Sequence, residues 1–157
     1  MPFTFNRPAA TLRTAVTLAA MLLAAPAFAA NASKDDAVAM VKRGVAAVSA
    51  MGAEKAYAEF SNPAGKWVDR DLYLAVFRLD GTALAHGANA KQIGVNLIDR
   101  KDIDGKEFIR ERMDMAKAKP SFWQDYKFLN PTTKKIEPKT MYCEKQADTV
   151  ICAGVYK

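Results

Sequence analysis

The chain holds one histidine and two cysteines in 157 residues. No His/Cys/acid group has metal-ligand spacing, so no metal site or other cofactor is expected. The cysteines, Cys143 and Cys152, do not form a C-x-x-C redox motif. No nucleophile–base pair stands out, which argues against an enzyme. Long apolar runs are missing too. The longest, Thr14 to Ala25, covers 12 residues, where a membrane span needs about 20. Charge of one sign does not dominate: 23 basic and 17 acidic residues give +6. The two signs are interspersed, so the chain carries no nucleic-acid footprint.

What is present begins with a leader. Arg7 and Arg13 precede the apolar run, and Ala27-Phe28-Ala29 is a small-x-small cleavage site. Residues 1–29 therefore read as a secretory signal peptide. Its removal leaves 128 residues (157 − 29) as one domain, 30–157, with net charge +4 (21 basic minus 17 acidic). The mature chain is expected to be periplasmic and not membrane-spanning. An oxidising compartment and an even cysteine count suggest a disulfide. With Ala147-Asp148 as a two-residue turn, Cys143 lies across from Cys152, at a non-hydrogen-bonded pair where side chains approach closely.

The pattern alternates helix and strand. Ser33 is an N-cap, with Asp36 three residues on. Val38, Val41, Val45, Val48 and Met51 form one helical stripe, packed on the domain or on a second copy. Gly52 interrupts, and Glu54 to Phe60 makes a short helix. Strands follow at Leu72 to Leu79 and Thr82 to His86, joined by Asp80-Gly81, a type I′ hairpin signal. That register pairs Leu79 with Thr82, Phe77 with Leu84 and Ala75 with His86. Tyr73, Ala75, Phe77, Leu84 and His86 then share a face. Tyr73 and His86 make a polar pair on an apolar wall, which suits a small polar ligand. Asp104 reads as the cap of a helix running to about Ala118, which buries Phe108, Ile109, Met113 and Ala116. An EF-hand reading of Asp102, Asp104, Gly105 and Glu111 fails, because Arg100 stands where a carboxylate is needed. Three strands close the chain: Ser121 to Leu129, Ile136 to Lys145 and Thr149 to Tyr156. The result is an α+β domain with about five antiparallel strands.

The D-L-Y opening (Asp71, Leu72, Tyr73), the Asp80-Gly81 turn, the A-H-G run at Ala85 to Gly87 and the I-G-x-N run at Ile93 to Asn96 resemble the core of single Cache domains. These are extracytoplasmic sensor modules of bacteria. Asp102, Asp104-Gly105-Lys106, Trp123, Tyr126, Asn130-Pro131, Lys139 and Tyr142 continue the match in order. The type 2 subfamily is the most similar, over roughly Ala37 to Tyr156. The resemblance implies a PAS-like antiparallel sheet with a long N-terminal helix and a crossing helix. It implies a small organic ligand, a short carboxylate above all, with Tyr73, His86, Trp123, Tyr126 and Lys139 as contacts. His86 would donate a hydrogen bond to the carboxylate. Lys139 interrupts an apolar strand. If it faces inward its ammonium needs an anion, either a ligand or a structural acid; otherwise it snorkels outward. Pro138 leaves that face open, since it could mark a bulge. With no membrane helix after the domain, signalling is expected to pass through a separate membrane receptor or kinase. The alternative is a periplasmic interaction module with a vestigial pocket, docking on such a partner.

Overall fold

The computed structural model describes Met1, Phe3 and residues 31–157; the expected leader lies almost wholly outside them. Among the described residues no helix is long and apolar enough to cross a membrane.

Helix α1 (Lys34–Met51) starts in a capping box. Ser33 Oγ accepts from Asp36 N at 3.1 Å, and Asp36 Oδ2 accepts from Ser33 N at 2.9 Å, so two orphan backbone donors are satisfied at once. The helix buries Ala37, Met40, Val41 and Gly44, with Val45, Val48 and Met51 half-buried beside them. Its stripe is therefore used within the chain. After Gly52 comes α2 (Ala53–Phe60), whose Phe60 ring meets Trp67 edge-on at 4.7 Å. Strands β1 (Val68–Asp69), β2 (Leu72–Arg78) and β3 (Ala83–His86), helix α3 (Phe108–Ala118), and strands β4 (Ser121–Leu129), β5 (Ile136–Gln146) and β6 (Thr149–Tyr156) follow.

All pairings are antiparallel, in the order β1-β2-β6-β5-β4, with β3 also on β2. The sheet has six strands rather than about five, because two residues ahead of β2 pair back on it. Strand alternation divides the sheet into two apolar faces. Leu72, Leu74, Val76, Ile151 and Ala153 pack under α1 and α2. Ala75, Phe77, Met141, Val150 and Cys152 pack under α3 with Phe108, Ile109 and Met113.

The β5–β6 hairpin closes at Gln146 and Thr149, which sets Cys143 opposite Cys152 with Cα atoms 4.1 Å apart and the sulfurs joined. The β2–β3 hairpin departs from expectation. Ala75 pairs with His86 and Val76 with Ala85, but Phe77 pairs with Ala83 across a bulge. The turn is not type I′. Gly81 has φ of +94° while Asp80 keeps a negative φ, and the Asp80 carboxylate accepts from Thr82 N at 2.8 Å. Segment 94–97 then binds along the turn, with Leu97 N donating to Gly81 O and Ala83 N to Val95 O, both at 3.0 Å. The bulge turns Leu84 toward the α1 side, away from the face expected for it.

Asp104 does not cap α3, which begins at Phe108 after Glu107. The adjacent Asp102 is the organising acid. Its carboxylate accepts from Asp104 N, Lys106 N and Lys127 N, each at 3.0 Å, and so ties the loop to β4.

The disulfide closes a short loop of separation 9. Removing it as Cys143→Ala/Cys152→Ala should cost about 2–3 kcal/mol, read as a lower urea midpoint.

Candidate functional site

On the α3 face, a cavity of about 310 Å³ opens between the end of β3, the loop around residues 100–103 and the β4–β5 hairpin. Tyr73 and His86 line its deep end; both are buried, at 1% and 4% exposure. Phe128 forms a wall, and Ile103, Leu129 and Ile136 form the mouth.

The last residue of β3 is His86, and its ring lies 4.9 Å from that of Tyr73. Its Nδ1 accepts from Asn89 N at 3.0 Å and Ala88 N at 3.3 Å. A nitrogen that accepts carries no proton, so these two bonds assign the proton to Nε2. Burial first, then the charges of Lys139, Arg112 and Arg100, push the imidazole down to about 3. His86 is thus a neutral, fixed-tautomer donor.

Lys139 projects from β5 to the same face. The β4–β5 register runs unbroken from Ser121↔Glu144 to Leu129↔Ile136, so Pro138 causes no shift. Its Nζ donates to Tyr73 OH at 2.9 Å and Tyr156 OH at 3.2 Å, 4.1 Å and 4.5 Å from the two ring centroids. A third ammonium hydrogen has no acceptor among the described residues. Burial and then Arg112 hold its pKa well below the usual lysine range, with Asp71 opposing. Asp71 is already engaged, accepting from Ala32 N at 2.8 Å and Tyr156 N at 3.4 Å. Room for Lys139 comes from Gly154, where a Cβ would lie 2.7 Å from Lys139 Cε.

Arg112 of α3 is the functional candidate that the sequence reading missed. It is 1% exposed. Its Nε donates to Gln124 Oε1 at 3.0 Å, its Nη2 has no partner, and its guanidinium lies 5.1 Å from the Phe77 and Tyr126 ring centroids. A signal existed: Phe108, Arg112 and Ala116 recur every four residues on the buried stripe. Burial pushes its pKa down.

Lys139, Arg112 and Tyr126 sit beneath the cavity rather than on its surface. Tyr126 stacks on Phe108 at 4.6 Å and its hydroxyl is 3.7 Å from Met141 Sδ. Trp123 stands apart from the other four expected residues. It lies on the α1 side, 5.1 Å from the Tyr142 ring and under the Lys34 ammonium at 5.3 Å. Residues three apart on a continuous strand face opposite ways, so Trp123 and Tyr126 cannot share a wall.

Chemically, the deep end sets polar groups against buried basic side chains. Tyr73 OH accepts from Lys139 and is hydrogen-bonded to the neighbouring Tyr156 hydroxyl, so its own proton is already engaged. His86 Nε2–H is the donor left over at this end of the cavity. Two basic side chains without a carboxylate ion pair lie behind it, and a low-dielectric surround strengthens that donor.

The family profile of Single Cache domain 2 matches residues 13–157. The chain belongs to that family. Solved structures agree on the Cache fold. A methyl-accepting chemotaxis protein from Vibrio parahaemolyticus is 22% identical, with a TM-score of 0.67 over 78% of this chain and 87% of its own. A periplasmic sensor domain of a chemotaxis protein is 21% identical, with a TM-score of 0.61 over 78% and 88%. A Cache chemosensory domain whose structure is described as a basis for carboxylic acid recognition is 20% identical, with a TM-score of 0.61 over 78% and 86%. Among curated proteins, none matches significantly.

The His86 shift in this Cache domain fixes a pH dependence. The unfolded imidazole, near 6.5, holds a proton that the folded one rejects down to about 3. Stability therefore falls as pH drops from 6.5 toward 3, by up to about 1.4 kcal/mol per pH unit. His86→Gln should remove that share of the slope, as measured by urea unfolding between pH 6.5 and 4.

Proposed function

We propose that this Cache domain is an exported sensor module that binds a small organic carboxylate and passes its state to a separate membrane receptor or kinase. The observation that carries the reading is the deep end of the cavity. It offers His86 Nε2–H beside the Tyr73 hydroxyl, over two buried basic side chains that make no carboxylate ion pair. A buried cation without a counter-ion is costly, and a bound carboxylate supplies the missing charge. The carboxylic-acid recognition described for one fold relative supports the same ligand class. Export is supported by the leader read in the sequence and by the disulfide, which suits an oxidising compartment. A vestigial pocket would be filled by its own side chains; a cavity of about 310 Å³ lined by His86 weighs against that.

The test is a thermal-shift screen of carboxylates, amino acids and amines. A carboxylate at about 100 times its Kd adds ~2.7 kcal/mol and raises Tm by several degrees. Tyr73→Phe and His86→Ala should abolish the rise. Lys139→Met should hold or raise intrinsic stability, since an apolar side chain replaces a buried amine, and should also abolish the rise. A normal response in Lys139→Met, or a response to amines alone, contradicts the proposal.

A further inference from the structure

Large apolar side chains left in water need a reason when they cluster. Between residues 31 and 157 five are exposed: Ile93, Val95, Ile103, Leu129 and Ile136. Three of them, Ile103, Leu129 and Ile136, stand at the cavity mouth, at 67%, 51% and 52% exposure.

The mouth is held in shape on both sides. Leu129 and Ile136 pair across the end of the β4–β5 hairpin. Its turn is organised by the fully buried Asn130, whose Nδ2 donates to Glu137 Oε2 at 2.7 Å and whose Oδ1 accepts from Thr132 N at 2.9 Å. Leu129 O accepts from Tyr156 OH at 2.7 Å, and that hydroxyl also faces Lys139. The exposed pair is thus anchored directly to the cationic floor. Ile103 sits in the loop that the Asp102 carboxylate ties to β4. Phe128 continues the apolar surface inward.

Size points the same way. At roughly 30 Å³ for each water-sized group, a cavity of about 310 Å³ holds about ten. A two- to four-carbon acid fills roughly half of that. Four cations line the cavity, Arg100, Lys101, Lys127 and Lys134, and two of them are ion-paired. Lys101 pairs with Glu107 at 3.3 Å, Lys127 with Asp104 at 2.8 Å, and the Arg100 guanidinium lies over the Phe128 ring at 5.9 Å.

We infer that the ligand is an amphiphilic acid, with its carboxylate at Tyr73 and His86 and an apolar body lying along Phe128 to emerge between Ile103, Leu129 and Ile136. The inference rests on the carboxylate reading and replaces a short acid with a longer one of about five to eight carbons, the length set by the cavity volume. Ile103, Leu129 and Ile136 become the specificity-determining residues.

Calorimetric titration of the protein with straight-chain acids from acetate to octanoate tests this, alongside α,ω-dicarboxylates of matched length. Each methylene taken out of water should tighten binding roughly three- to fourfold until the mouth is passed. Leu129→Ser/Ile136→Ser should flatten that progression; Ile93→Ser/Val95→Ser, also exposed but off the cavity, should preserve it. Affinity that is flat or falling beyond butyrate, while acetate or butyrate binds, overturns the inference and leaves the carboxylate reading standing. A steep series untouched by the mouth variant also overturns it. A dicarboxylate that binds tighter than the monocarboxylate of equal length would assign the mouth to Arg100 and Lys134 instead. Failure of every acid at any length overturns both readings.

Discussion

Two basic side chains buried without a carboxylate partner set the terms for this domain. Lys139 on the sheet and Arg112 on α3 above it are each 1% exposed in a layer that also holds Ala, Phe, Met, Val and cystine. Water would solvate either group far better than tyrosine hydroxyls and aromatic faces do. The rings around them offer part of a replacement through their electron-rich faces, and Asp71 lends distant negative charge. The remainder is unmet in the protein alone. Neutral His86 follows from the same field, since the cations that favour an anion also disfavour an imidazolium.

The scaffold makes the arrangement possible at a few points. Gly154 leaves the space through which Lys139 passes, because any Cβ there would meet it. Tyr156, at the end of β6, bonds the lysine, the hairpin carbonyl of Leu129 and, through its backbone N–H, Asp71. Asp71 in turn holds Ala32 at the root of α1. One short series of hydrogen bonds therefore joins the pocket floor, its mouth and both ends of the folded domain. The disulfide staples β5 to β6 in the same layer, so the strands that carry Lys139 and Tyr156 are held in one register.

Much of the fold was legible wherever local chemistry and the global arrangement agree. The Ser33 capping box, the β4 and β6 boundaries and the Gln146–Thr149 hairpin all follow from nearby residues. The misses have tertiary causes. Asp80 spends its carboxylate on Thr82 N, and segment 94–97 pairs along the turn, which opens the bulge that displaces Leu84. Asp102 rather than Asp104 gathers the loop amides, because β4 supplies Lys127 N. At the site, the Tyr73–His86 pair could be read from alternation alone. Arg112 could not, because charge on a helix reads as surface unless its stripe is weighed above its chemistry. Trp123 was grouped with Tyr126 by motif order, which carries no information about which way a strand residue faces.

His86 is the only histidine in the chain, so its ring signals in a long-range ¹H–¹⁵N NMR spectrum of labelled protein need no assignment. Recorded near neutral pH and titrated with hexanoate, that spectrum tests the proposed carboxylate site directly. The account predicts a neutral ring protonated on Nε2, unchanged down to about pH 4, with Nε2 shifting saturably as the acid binds. A ring that titrates near 6.5, carries its proton on Nδ1, or ignores every carboxylate offered would contradict it.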